Sequence, residues 1–586
     1  MDEDAWVDVA APEELTVDSP SLVKLGKRQL AVLRTEDGDL FAIDNRCPHE
    51  GYPLVQGQVR GCTLTCAWHN FKFDLRDGRC LKGDEAVAVY PVRVHEGRVQ
   101  VDARPPVEEG AVDKGFAGLE QGLLERRMGQ VARQVVRLLE LGVEAPRIAV
   151  EAARFDAQRA EWGSTHALPV AADLLPLLPR YPGAEAALPL VQAFDMASEN
   201  HVRRSVRPLA EAVDPGDDPV AAGVRLRELV EREEGAAAEA LLRGALDKGW
   251  GRAELEPWFF GPACDHHLSF GHPLIYQIKI FDLLEQVGWE HAAVLLPAHL
   301  HGIVSSTRED TLPRWRAFGQ RLADVEPKFA AWRVQPARHE RVADIDADVR
   351  QAWWQAWVQG DRDASFDAVV GALDAAVAPA AIADLIAAAA AARLLRFDLR
   401  HDRDITVQEG WLDITHSMSF ADAVHHAVLR YPDATALRPL FYAARFVNNA
   451  SGLDEPGPSS EPVPTAGKVD VGMIGDAIAQ REPERAMAHT AAYLQDRGAD
   501  DALEVALTEL PFADLYVRPI IVAHVIKMAR VALSLAARLQ GSPWAHAPIL
   551  AFVRFAAAPL RERSLGRLVH EAKRLVVDGK VPRALT

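Results

Sequence analysis

The sequence predicts a multidomain protein in which a small antiparallel β-domain is followed by a large all-α domain built from two duplicated halves. Three observations carry this. The chain has 586 residues, more than one core organises at about 100–200 residues per domain. The N-terminal stretch, to about residue 105, alternates in short runs broken by turn residues, whereas from about residue 115 onward Ala, Leu, Arg and Glu recur at helical spacing. The helical part also matches itself in three ordered places.

The strand signals are Gln29 to Arg34, the turn Glu36-Asp37-Gly38-Asp39, Leu40 to Ile43, the turn Asp77-Gly78, and Val87 to Val94. They define a β-domain over 1–105. Arg104-Pro105-Pro106-Val107-Glu108-Glu109-Gly110 has no apolar period and opens a linker over 106–114. Beyond it, stripes such as Leu274, Ile278, Phe281 and Leu284 predict buried helix. Thr165-His166 followed by Arg180-Tyr181-Pro182 matches Thr415-His416 followed by Arg430-Tyr431-Pro432. Gly271-His272 answers Ala523-His524, and Trp289-Glu290-His291 answers Trp544-Ala545-His546. Halves over 115–335 and 336–586 follow, with the Pro/Ser-rich stretch from Asp454 to Gly467 as a loop insertion in the second.

Composition narrows the function. Hydrophobic residues make up 49% and charged residues 25%, a globular balance. The 84 acidic against 65 basic residues leave a net charge of −19, which repels phosphate backbones and argues against nucleic acid. The most membrane-like stretch, Ala376 to Phe397, is interrupted by Asp384 and Arg393, so no membrane span is expected. Met1-Asp2-Glu3-Asp4 is acidic where a secretory leader is basic, and five Cys in 586 residues form no disulfide framework. The expected location is cytoplasmic.

The strongest chemical signal is Cys47-Pro48-His49, then 16 residues, then Cys66-Ala67-Trp68-His69. Two thiolates and two imidazoles suit either a tetrahedral zinc or a [2Fe-2S] cluster. Each short motif carries one ligand of each type, unlike a zinc finger, whose Cys pair and His pair usually sit apart. Together with Gly51, Leu54, Gly57, Trp68 and Phe73-Asp74-Leu75-x-Asp77-Gly78, the pattern resembles the ferredoxin-type Rieske [2Fe-2S] family over about residues 5–103. The resemblance implies that Cys47 and Cys66 hold one iron and His49 and His69 the other. Rieske proteins of respiratory bc complexes add a Cys in each cluster loop and join them as a disulfide. Here those positions resemble Tyr52 and Trp68, which implies a soluble ferredoxin with a potential toward the bottom of the ~−150 to +300 mV range of such centres.

Of the 20 His, 17 lie beyond the β-domain. The duplicated pairs His166/His416, His272/His524 and His291/His546 are the candidate catalytic or metal-binding residues of the helical part, where a second metal is expected to sit. The competing expectation is that they pack or cap, since His166 and His416 follow Thr at expected helix starts and His272 precedes Pro273. His201, His266, His267, His299 and His301, present in the first half only, are candidates for an asymmetric site. A conventional Rieske oxygenase places its mononuclear iron in an α/β domain. Asp265 with His267-x4-His272 approximates that motif, but Asp265 stands one position too close and the strand-rich context is missing. Short stretches such as Ser164-Thr165-His166-Ala167-Leu168-Pro169 resemble the questin oxidase-like helical oxygenases, which implies oxygen insertion into a polycyclic or aromatic ketone. No phosphate-binding glycine loop or nucleophile elbow occurs.

The functional expectation is an oxidoreductase passing single electrons through the cluster to a site in the helical domain or to a partner oxygenase. Its partners would be an electron-donor reductase or ferredoxin and a small-molecule substrate. The alternative is a non-enzymatic electron carrier or redox sensor whose helices form a docking platform.

Overall fold

The structure is a computed structural model that describes residues 6–26, 28–82, 85–104, 110–407, 410–457, 462–563 and 565–580. The chain falls into two compact units, one of residues 1–122 and 127–142, the other of 123–126 and 143–586.

The described residues of the first unit form ten strands in three antiparallel sheets. They are β1 (Trp6–Ala10), β2 (Ser21–Leu25), β3 (Arg28–Arg34), β4 (Leu40–Asp44), β5 (Gln58–Arg60), β6 (Thr63–Thr65), β7 (Lys72–Asp74), β8 (Val89–Tyr90), β9 (Val92–His95) and β10 (Arg98–Asp102). The sheet orders are β1-β10-β9, β2-β3-β4-β8 and β5-β6-β7. In β3 and β4 every second residue enters a different core. Ala31, Leu33 and Ile43 pack with Cys47, Leu64, Cys66 and Phe73, whereas Leu30, Val32 and Ala42 pack with Val99 and Val101. This period of two in a strand buried on both faces explains the unbroken apolar run from Leu30 to Leu33.

The expected strands at 29–34 and 40–43 form as read, but the run Val87 to Val94 does not form one strand. Pro91 lacks an N–H and interrupts it, so β8 pairs with β4 and β9 pairs with β10 in another sheet. At the Asp77-Gly78 turn glycine is required, because a Cβ on Gly78 would lie 1.9 Å from the Val87 carbonyl oxygen.

The compact unit also runs past the expected boundary. Residues 106–109 of the expected linker lie outside the described residues, and a helix already begins at Ala111. Helices Ala111–Leu124 and Met128–Glu140 form a hairpin that groups with the β-domain. Gly115, Gly118 and Gly122 let the two helices approach closely, since Cβ atoms there would meet Leu138, Gln134 and Val131 at 2.7–3.0 Å. Buried Glu85 ties the hairpin down, accepting from Arg133 Nη2 at 2.8 Å, Gln134 Nε2 at 3.0 Å and Arg137 Nη1 at 3.1 Å. The sequence offers no periodic signal for a clamp made by one acid from the β-domain.

The second unit is helical, with no strand among its described residues. Helix Trp411–Arg430 packs on the Ala-rich helix Pro379–Arg396, whose small side chains are almost all buried. The helix long and apolar enough to cross a membrane by length and composition is Pro519–Arg538, not the Ala376 to Phe397 stretch singled out in the sequence. It is mostly buried among other helices and carries His524 and Lys527.

Candidate metal centres

The first centre lies in two loops, one after β4 and one between β6 and β7. Each loop folds back through its cysteine amide, Cys47 N–H to the Tyr52 carbonyl at 2.9 Å and Cys66 N–H to the Phe71 carbonyl at 2.7 Å. These turns bring the four sequence-chosen residues together. The buried Cys47 and Cys66 thiols are in hydrogen-bonding contact, and burial pushes the Cys47 thiol up to about 11. His49 and His69 face one another with Nδ1 atoms 3.2 Å apart, His49 half-buried and His69 exposed. Two sulfur and two nitrogen donors thus converge from inside and outside, a donor set that fits a [2Fe-2S] cluster with the sulfur-bound iron inward. Iron binding would displace the Cys47 thiol proton that burial otherwise retains. Burial is the main influence lowering His49, followed by opposing effects from Glu50 and His69, with Arg133 of the helical hairpin a further positive neighbour. Tyr52 and Trp68, read as replacing a disulfide, meet across the two loops with ring centroids 5.1 Å apart. Cys62 and Cys80 form no disulfide among the described residues.

The second centre assembles residues far apart in sequence. His166 precedes helix Ala167–Leu174, His272 opens helix His272–Val287, His416 lies inside Trp411–Arg430 and His524 inside Pro519–Arg538. Ring centroids are 4.3 Å apart for His272 and His416, 4.6 Å for His416 and His524, 5.0 Å for His166 and His272, and 5.1 Å for His166 and His524. Coordinating atoms of His166, His416 and His524 lie within 4.8 Å of one another.

The hydrogen bonds on the outer ring nitrogens prepare these imidazoles for a ligand. His272 Nδ1 donates to the Ser269 carbonyl at 2.6 Å. His524 Nδ1 lies 2.9 Å from Thr415 Oγ1, whose own proton goes to the Trp411 carbonyl, so the histidine donates. His166 Nδ1 lies 3.2 Å from the Tyr276 hydroxyl. In His272 and His524, with Nδ1 protonated, Nε2 presents a lone pair. All four Nε2 atoms are buried and have no hydrogen-bond partner among the described residues. Burial pushes His272 down to about 4 and the other three well below the usual imidazole range, with the Lys527 ammonium adding to the effect. Neutral imidazoles with orphaned nitrogens fit a transition metal, and the coordinating atoms of three of them, His166, His416 and His524, converge. Lys527, also buried, is pushed down to about 7 by burial, against the pull of Asp173.

The remaining candidates go elsewhere. His291 bonds Arg154 at 2.9 Å, and His546 sits at the start of helix Ala547–Ala557. His201 bonds Asp156, His266 bonds Asp310, His299 bonds Gln277, and His301 bonds the Glu161 carbonyl. His267 is enclosed by Trp315, Phe420, Tyr442 and Phe446, while Asp265 pairs with Arg227 and Arg438. Of the oxygenase-like motif only His272 reaches the cluster. His416 is not at a helix start as expected but within a helix. Sequence reasoning missed Tyr276 and Lys527. Each stands one turn after a cluster histidine, and a lone Lys in the apolar run Ile520 to Met528 was the available signal.

Comparison with known proteins identifies the N-terminal region. The model of the Rieske [2Fe-2S] domain matches residues 5–93. The anthranilate 1,2-dioxygenase ferredoxin subunit of Burkholderia cepacia is 34% identical over 99 residues, 17% of this chain and 91% of that protein. The ferredoxin component of a naphthalene 1,2-dioxygenase system of Pseudomonas aeruginosa is 29% identical, over 17% of this chain and 94% of its own. The 4beta-methylsterol monooxygenase of Methylococcus capsulatus is 37% identical over 75 residues, only 20% of that protein and 13% of this chain.

Proposed function

Because the chain belongs, through its N-terminal domain, to the Rieske [2Fe-2S] family, we propose that Cys47, His49, Cys66 and His69 hold its cluster and pass single electrons to a metal held by His166, His272, His416 and His524. The observation that carries the second half of this reading is the convergence of His166, His416 and His524, whose buried Nε2 atoms, like that of the adjoining His272, have no partner among the described residues. Imidazole suits iron, copper and zinc alike, but only a redox-active metal can use electrons from the cluster, which favours iron. When bound, the cluster supplies one-electron reduction and the second metal supplies oxygen activation.

The chain's own residues do the rest. Ser269 and Thr415 hold His272 and His524 with Nε2 inward, and the Tyr276 hydroxyl holds the His166 ring at Nδ1. Burial excludes water from the four Nε2 atoms. Lys527, near its own midpoint at neutral pH, holds or releases a proton at Nζ beside them. The reaction class is oxygen insertion into a small organic substrate, with a reductase or ferredoxin as electron donor. Metal and sulfide analysis tests the reading. About three iron and two sulfide per chain are expected, falling by one iron in His416→Ala while the cluster remains. Iron confined to the cluster, or zinc at the four histidines, would favour an electron carrier with a helical docking platform instead.

A further inference from the structure

Helix Leu565–Val576 has the faces of an ordinary surface helix reversed. Leu565, Leu568, Val569, Leu575 and Val576, with Ala572 among them, recur at the spacing of one helical stripe. Each of those five Leu and Val residues is 51–79% exposed. On the opposite side the polar atoms turn inward, and the Nε atoms of Arg567 and Arg574 and the His570 Nε2 are buried. A helix on a soluble body normally turns its apolar stripe to the core and its charges to water. A contiguous apolar face left outside and rimmed by polar residues is one that something else covers.

Charge and size select the occupant. Arg563, Lys573 and Lys580 are exposed around the stripe, and Lys573 flanks it, one turn after Val569 and one turn before Val576. Of the nearby acids, Glu562 accepts the Arg518 amide N–H at 3.1 Å and Glu571 stands 3.8 Å from Arg567, whereas Asp578 is exposed. The segment therefore shows net positive charge in a chain of net charge −19. Salt screens the acids elsewhere over about 8 Å, so the local cations set what the helix meets. Two copies face to face would set these cations against each other. Five side chains are also few beside the ~20–30 residues that each partner brings to a stable protein interface. A bilayer needs no such area, because an amphipathic helix lying in the interface adds headgroup attraction to its buried stripe. Twelve residues span about 18 Å, too short to cross the ~30 Å hydrocarbon core but suited to lying flat on it.

We propose that helix Leu565–Val576 seats the protein on an anionic lipid surface, its Leu and Val stripe among the acyl chains and Arg563, Lys573 and Lys580 at the headgroups. The inference is independent of any metal at the four histidines.

Co-sedimentation of the full chain with vesicles tests it. Binding to vesicles of mixed phosphatidylglycerol and phosphatidylcholine is expected, about tenfold weaker on phosphatidylcholine alone and weakened several-fold by raising salt to about 0.5 M. Leu568→Gln combined with Leu575→Gln should weaken binding about tenfold, and Lys573→Glu several-fold. Both changes lie on exposed positions, and circular dichroism checks folding. If the double variant fails to fold, Lys573→Glu decides. Absence of binding to the anionic vesicles, or unchanged binding in the folded variants, would overturn the proposal. So would a dimer, seen by light scattering without lipid, that the double substitution dissolves, since a second copy would then cover the stripe.

Discussion

The two histidine groups of this chain meet solvent in opposite ways. His49 and His69 turn their rings toward the surface and leave the cysteines inside, whereas His166, His272, His416 and His524 turn inward, with Nε2 atoms that no solvent reaches. The first arrangement suits exchange of electrons with another protein, since the imidazole edge is the shortest way out. The second suits chemistry that water would divert. The groups also differ in how they are built: two short loops make the first, while four helices from across a span of 359 positions, His166 to His524, make the second.

The contrast breaks most completely if the inward group holds no metal. Replacing His416 or His524 by Ala should abolish metal at that centre while the cluster's electron paramagnetic signal persists, read by metal analysis alongside spectroscopy. A parallel loss of both signals would mean that the two centres are not independent. At the outward group, His49→Cys or His69→Cys adds an anionic thiolate and stabilises the oxidised cluster, so the potential should fall by on the order of 100 mV or more. Redox titration checks this, and an intact cluster with an unchanged or raised potential would contradict it.

Acid should distinguish the groups next. An inward histidine pushed down to about 4 stays neutral in the folded chain while its unfolded form takes a proton below about 6.5. The unfolded state then binds more protons, so stability is fully present above about 6.5 and is lost as pH falls toward 4. For His272 alone the loss is about 2 kcal/mol by pH 5. Urea unfolding of metal-free protein should show a shallower acid dependence in His272→Asn than in the wild type. The smallest effect is expected at Arg133, whose positive charge stands near His49. Arg133→Gln should lower the cluster potential by about 30 mV or less, a fraction of the 59 mV that a tenfold change in a one-electron equilibrium represents. A raised potential would mean that the hairpin acts on the cluster through packing and not through charge.

These two centres were unequally legible in the sequence. Cys47, His49, Cys66 and His69 were readable because ligand spacing within a short loop is local information. The inward group was reached only because two of its pairs, His166/His416 and His272/His524, stand at matching places in the self-similar stretches. The same similarity also pointed to His291/His546, which stand at helix starts away from the inward group, since matching sequence positions need not be ligands. Nothing local marked Ser269 and Thr415 as the groups that set the imidazole tautomers, or Glu85 as the clamp on a helical hairpin, since each acts through a contact distant in sequence. Pro91 was visible and its effect was not, because where a broken strand re-pairs depends on the sheets around it.

The contact between Tyr52 and Trp68 has a consequence for how the cluster is loaded. An aromatic pair of this kind is worth about 0.5–1.5 kcal/mol beyond its buried area, and Trp68 is 60% exposed. Thermal energy alone can part such a clasp, so an assembly protein could open the two loops, insert iron and sulfide, and let them reclose without breaking a covalent bond. Nor would a strong thiol or dithionite find a crosslink there to cleave, so reducing the cluster leaves the walls of its own socket chemically untouched.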